Sequence, residues 1–337
     1  MHTLSIATYI AFLASTTYAG FSSDSKSNVA VYWGQNSYGQ SSGDLAQQRL
    51  SYYCENTDFD VIVMSFLTRI NGQGGQPELN FANQGDLCEV FSGTNLLDCA
   101  ELAADIPTCQ SQGKTILLSI GGATYTEGGF QSESAAIEGA QMVWDIFGPM
   151  TSTSGNRPFG NASIDGFDFD FEAGVQNMVP FANKLRSLMD TERSREFILT
   201  AAPQCPYPDS AMNAMLDGAV SFDALLIQFY NNYCGLQSYQ DGAADQSSFN
   251  MKQWNDWATQ TSKNKDVKIL LGMPANTGAA GSGYVTIDKL RLIIGYCKQF
   301  SNFGGAMMWD MTQAYANKDW LQDVKSALTS NYRRFFA

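Results

Sequence analysis

Histidine is almost absent. The only one in the 337-residue chain is His2, in a leader-like segment, so the rest of the protein carries no imidazole. Several chemistries fall away with it. Ser-His-Asp and Cys-His catalysis need an imidazole to take the nucleophile's proton, and zinc hydrolases usually rely on imidazole ligands. The stretch Gly39-Gln-Ser-Ser-Gly43 fits the G-x-S-x-G elbow pattern. Without a histidine partner it reads as a flexible loop. Cationic side chains are scarce too: 20 Lys and Arg stand against 33 Asp and Glu, for a net charge of -13. Nucleic acids and anionic membranes both require a cationic face, so neither is expected as a partner, and a neutral or cationic substrate suits the chain better. No G-x-G-x-x-G follows a strand-like run, no Walker loop occurs, and no two cysteines stand at C-x-x-C spacing. The expectation is therefore no cofactor and no metal. No later stretch approaches the roughly 20 apolar residues that span a bilayer. No linker, repeat or Ser/Thr/Pro-rich stalk marks off a second module.

Residues 1–19 contain no Asp, Glu, Lys or Arg, carry an apolar stretch from Ile6 to Ala14, and finish Thr17-Tyr18-Ala19. They read as a signal peptide, with residues 20–337 forming one exported domain, extracellular or associated with a cell wall. Seven cysteines in an exported chain imply disulfides, and the odd number leaves at least one unpaired. Their pairing is not readable from spacing. General acid–base work must fall to carboxylates, Tyr, Lys or Cys.

Eight short apolar, β-branched or aromatic runs recur: Val29 to Trp33, Val61 to Phe66, Thr115 to Ile120, Gly166 to Phe171, Phe197 to Ala201, Ala224 to Phe229, Lys268 to Met273 and Gly305 to Trp309. The gaps are long enough for a loop and a crossover helix, and helical patterns such as Val179 to Met189 and Ile287 to Phe300 fill several. This spacing predicts an α/β fold, a (β/α)8 TIM barrel, whose active site is built where strands end. A doubly wound sheet is the rival, and would place its site at a single switch point.

The fourth run carries the strongest signal. In an extended strand alternate residues face the same way, so Asp168, Asp170 and Glu172 share one face while Phe167, Phe169 and Phe171 share the other. Three acids at close range cannot all ionise cheaply, so at least one stays protonated near neutral pH. Glycosidic cleavage needs such a proton donor. A solvated edge strand or a calcium site would also show an acidic ladder. The phenylalanines argue against an exposed edge, and the calcium-loop pattern D-x-D-x-D-G is missing.

These residues resemble glycoside hydrolase family 18, specifically its fungal and plant class III chitinases. The family's D-G-x-D-x-D-x-E signature appears as Asp165-Gly-Phe-Asp-Phe-Asp-Phe-Glu172. Six further blocks look like its strand-end motifs: Ala30-Val-Tyr-Trp-Gly-Gln-Asn36, Leu118-Ser-Ile-Gly-Gly122, Thr200-Ala-Ala-Pro-Gln-Cys-Pro-Tyr-Pro-Asp209, Gln228-Phe-Tyr-Asn-Asn232, Gly278-Ala-Ala-Gly-Ser-Gly-Tyr284 and Gly304-Gly-Ala-Met-Met-Trp309. The resemblance implies a monomeric endochitinase acting on chitin and chito-oligosaccharides by a retaining, substrate-assisted mechanism, an exception to the usual two-carboxylate scheme. Glu172 would be the acid and later the base. Asp170 would hold the acetamido N–H, Asp168 would share a proton behind it, and Tyr230 would hold the acetamido oxygen. Trp309 would form the floor under the sugar, with Tyr32, Phe66, Gly122, Gln204, Gln228 and Met273 as further substrate contacts.

The resemblance also implies the disulfides Cys54 with Cys109, Cys88 with Cys99, and Cys205 with Cys234, leaving Cys297 free. Each bridge would contribute roughly 2 to 4 kcal/mol. Position 171 is Phe where the family usually has Ile or Leu. The interval from Met273 to Gly305 is too short for the extra α+β domain some members insert, so an open groove is expected. A silent chitin lectin and an endo-β-N-acetylglucosaminidase acting on N-glycans are the alternatives. One sequon, Asn161-Ala-Ser163, permits an N-glycan.

Overall fold

The computed structural model describes residues 20–151 and 155–330; the proposed signal peptide, residues 1–19, lies outside them. Eight parallel strands close on themselves: β1 (Asn28–Trp33), β2 (Val61–Arg69), β3 (Thr115–Gly121), β4 (Gly166–Asp170), β5 (Ile198–Ala201), β6 (Ala224–Gln228), β7 (Lys268–Pro274) and β8 (Phe303–Trp309). Each pairs with its neighbour in sequence, and β1 pairs with both β2 and β8. That is the expected (β/α)8 barrel. An α-helix follows each strand, as right-handed parallel crossovers require. The interval between β7 and β8 holds only a loop and the helix Ile287–Cys297.

Alternation along the strands sorts side chains into two cores. Ala30, Tyr32, Val61, Val63, Leu117, Leu226, Leu270 and Met307 fill the barrel. Val29, Val31, Ile62, Leu118, Phe167, Phe169, Leu271 and Met273 face outward into the helix-covered layer. The helix Glu133–Phe147 shows why the outer layer seals. Ser132 caps it by accepting from the amide of Ala135 at 3.2 Å, a contact worth about 1 kcal/mol, and Ala136, Ala140, Val143 and Phe147 form a stripe at helical spacing against the sheet. Expected and observed elements differ mainly at their ends. The helix expected to reach Phe300 stops at Cys297, where the chain tightens into a turn from the amide of Phe300 to the carbonyl of Cys297.

Three disulfides form as the resemblance implied: Cys54–Cys109, Cys88–Cys99 and Cys205–Cys234, with Cys297 free and buried. The first ties the first two helices together. The second staples a small hairpin, Glu89–Val90 with Leu97–Asp98, in the long loop after β2. The third joins the loops after β5 and β6. Asn161 is exposed in the turn before β4. No helix among the described residues is long and apolar enough to cross a membrane.

Candidate active site

The carboxylates are positioned by β4. Asp168 and Asp170 point into the barrel because Phe167, Phe169 and Phe171 take the outward face. Register then decides their partners. Asp168 lies beside Ser119 of β3 and Thr200 of β5, and both hydroxyls donate to it, at 2.7 and 2.6 Å. Tyr32, from β1, donates a third hydrogen bond at 2.7 Å. Asp170 accepts from the side-chain amide of Gln228, at the end of β6, at 2.8 Å. Gln228 also donates to the carbonyl of Ala202 at 3.0 Å, which fixes its orientation. Glu172 lies two residues beyond the end of β4, exposed at the barrel mouth.

Electrostatics separate the three acids. Burial raises the pKa of Asp168, against the hydrogen bonds from Thr200, Ser119 and Tyr32 that favour its anion. Asp170 is pushed well above the usual carboxylate range, by burial first and then by the charges of Glu172, Asp168 and Asp209; only Gln228 opposes. Glu172 is also raised, by desolvation and then by Asp209. The Tyr230 phenol is held far above its ordinary value by burial and by Asp170, Glu172 and Asp168, so it remains a hydrogen-bond donor. No hydrogen bond joins Asp168 to Asp170 among the described residues. Two of the three hydroxyls, from Tyr32 and Ser119, go to Oδ2 of Asp168, and Thr200 alone donates to Oδ1.

A pocket of about 230 Å³ opens here, lined by Gln35, Phe66, Ala123, Thr124, Asp170, Glu172, Gln228, Tyr230, Asn231, Ala279 and Trp309. It brings together Asp170, Glu172, Tyr230, Gln228, Phe66 and Trp309 from the expected set. Phe66 and Trp309 are nearly parallel, centroids 5.9 Å apart, and Tyr32 lies 5.6 Å from Trp309. Four expected contacts fall elsewhere. Tyr32 is 1% exposed and its hydroxyl is committed to Asp168. Gly122 lies beneath Phe66: a Cβ there would come within 2.8 Å of the ring, at a φ of +84°, so this glycine lets the ring settle and does not itself line the pocket. Met273 is the clear correction. It alternates out of phase with the inward residues Leu270 and Gly272, is fully buried in the helix-facing layer, and cannot touch a ligand in the barrel mouth. Gln204 is half-buried outside the pocket walls, accepting from the Asn232 amide at 2.9 Å.

Sequence reasoning missed Gln35, Ala123, Thr124, Asn231 and Ala279 as pocket residues, though each lies in or just beyond a strand-end block. It also missed Asp209, 3% exposed. This carboxylate accepts from the amides of Gln204, Ala211 and Met212 at 3.1, 2.9 and 2.7 Å, and its charge acts on both Asp170 and Glu172. A buried acid in the proline-flanked segment after β5 is the signal that would have found it.

A parallel barrel with acids and aromatic walls gathered at its C-terminal mouth is an arrangement that carbohydrate-cleaving hydrolases use. Comparison with known proteins makes this specific. The model of the glycosyl hydrolases family 18 matches residues 28–283. A class III chitinase of Arthroderma benhamiae is 50% identical over 333 residues, covering 98% of this chain and 94% of that protein. Endochitinase 33 of Trichoderma harzianum is 47% identical over 318 residues, covering 94% and 96%. Among solved structures, the ICChI chitinase of Ipomoea carnea superposes with a TM-score of 0.70 at 29% identity, covering 89% of this chain and 99% of that one. A xylanase and alpha-amylase inhibitor protein from Scadoxus multiflorus superposes with a TM-score of 0.69 at 31% identity, covering 88% and 97%. The chain belongs to glycosyl hydrolase family 18. A chitinase and an inhibitor share its barrel, so activity has to be argued from the site.

Proposed function

We propose that this chain is a family 18 chitinase, a secreted endochitinase that cleaves β-1,4 linkages between N-acetylglucosamine residues with retention of configuration, using the substrate's own acetamido group as nucleophile. Glu172 donates its proton to the glycosidic oxygen as the C1–O bond breaks. The acetamido carbonyl oxygen bonds to C1 and gives an oxazolinium ion. Asp170 accepts from the acetamido N–H and offsets the positive charge, while the Tyr230 hydroxyl holds the acetamido oxygen in line. Water then attacks C1, and the Glu172 carboxylate takes its proton. Asp168, anchored by three hydroxyls, acts on Asp170 through its charge. Trp309 and Phe66 offer apolar faces to the sugar.

The observation that carries this reading is that Asp170, Glu172 and Tyr230 line one pocket, with Asp170 buried and held by the Gln228 amide at 2.8 Å. A buried carboxylate whose Oδ1 accepts from the Gln228 amide is fixed in orientation and suited to holding the acetamido N–H. That favours substrate assistance over a glycosyl-enzyme ester. The requirement for an acetamido group explains why chitin would be cleaved and cellulose would not. An acid at position 172 also disfavours the silent-lectin reading. Export is supported by the acid-free, base-free apolar leader and by three disulfides. The test is Glu172→Gln, measured on chitin oligosaccharides. Hydrolysis is expected to fall by about 10²–10⁴-fold with oligosaccharide affinity retained, and wild-type-like turnover would sink the assignment.

A further inference from the structure

Tyr233 is 66% exposed, an unusual place for a large aromatic side chain, and it belongs to the loop after β6, which contributes to the pocket wall. Tyr230 and Asn231 of this loop line the pocket. Two trans peptide steps of about 3.8 Å keep the Cα of Tyr233 within roughly 7.6 Å of that of Asn231, a residue of the pocket wall. The loop is held firmly. Asn231 exchanges backbone and side-chain hydrogen bonds with Ser282, at 3.2 Å each. Asn232 donates to Gln204 at 2.9 Å and its carbonyl accepts from Gln237 at 2.8 Å. Cys234, the next residue, is bridged to Cys205. An exposed ring anchored on both sides is preorganised, so a ligand stacking on it does not have to order the loop first.

Resting on the chitinase reading above, we infer that Tyr233 is a specificity-determining residue that stacks on a sugar of the chain lying outside the pocket, so that it selects for longer chito-oligosaccharides and polymer over short ones. Its ring offers a flat apolar face to the C–H surface of a pyranose and a phenolic hydroxyl to the sugar hydroxyls. It takes no part in bond breaking.

The experiment compares kcat/KM on a fluorogenic N-acetylglucosamine dimer and on the hexamer for the wild type, Tyr233→Ala and Tyr233→Trp. For Tyr233→Ala a drop of about two- to ten-fold is expected on the hexamer, chiefly in KM. The dimer rate should be unchanged, and Tyr233→Trp should restore hexamer cleavage. Unchanged hexamer kinetics in Tyr233→Ala overturn the inference. So do equal losses on dimer and hexamer, or a Tyr233→Trp variant as impaired as alanine. A wild type that cleaves neither substrate would instead bring down the chitinase reading itself, which keeps the two failures distinct.

Discussion

The two ends of the barrel treat the same residue type in opposite ways. At the N-terminal end an aspartate immediately precedes each of β2, β4 and β6. Asp60, Asp165 and Asp223 accept the amides of Val29, Ile116 and Leu199, each at 2.8 Å. Each also has a cation: Lys325 at 2.7 Å, Arg195 at 3.0 Å and Arg186 at 2.9 Å. Each of these aspartates thus clips its strand to the one before. At the C-terminal end Asp168, Asp170, Glu172 and Asp209 have no ion pair among the described residues. Burial raises Asp165 and Asp223 as it raises these four, but only Asp170 and Glu172, with no cation beside them, are raised further by acids of their own cluster. Charge that is neutralised at one end holds the barrel closed. Charge left without an ion pair at the other gathers around the pocket, where a site would need shifted acids.

Substitutions at the two ends should separate rate from stability. Asp170→Asn removes the acid proposed to orient the acetamido group, and kcat on chitin oligosaccharides should fall by about 10²–10³-fold with the thermal midpoint held or raised, since a buried ionisable group is gone. A loss of stability with little loss of rate would reverse the assignment of ends. Asp165→Ala, at the opposite mouth, should cost about 1–3 kcal/mol by orphaning the Ile116 amide and removing the ion pair with Arg195, read as a lowered denaturant midpoint, while kcat per folded molecule stays near wild type. The smallest effect is on pH. Glu172 must be protonated to donate, and its folded pKa is raised, so activity should decline as pH rises through a limb above the ordinary glutamate range. Stability follows the same sign: carboxyls raised on folding resist ionisation, so their contribution is lost as pH climbs past their unfolded values toward the folded ones. Asp209→Asn removes a charge that raises Glu172 and should move the activity limb to lower pH; a kcat/KM profile with an unmoved limb would show that desolvation alone sets it.

Much of this was legible in the chain. The eight apolar runs marked the strands, and the Asp-Phe alternation of residues 167–172 told which face of β4 was polar, because strand geometry leaves no other arrangement. Tyr230, Gln228, Phe66 and Trp309 could be proposed from strand-end blocks, since a parallel barrel gathers those ends at one mouth. Met273 failed because its block was right and its phase was wrong. One residue decides whether a side chain points into the barrel or out to the helices, and the glycine at 272 conceals the alternation. Asp209 escaped notice because it acts through space on Glu172 from a loop with no strand periodicity.

The one-dimensional pattern by itself determined the fold class and the two-faced strand that bears the acids, since these depend only on residue type and local period. Tertiary structure alone decided that Asp165 and Asp170, members of one signature, stand at opposite ends of a strand with opposite tasks. It also decided that Asp168 accepts hydroxyls from β1, β3 and β5, and that the charge of Asp209 reaches Glu172. Those outcomes depend on the inter-strand register and on closure of the barrel, which place residues from distant parts of the chain within hydrogen-bonding or Coulombic reach of one another.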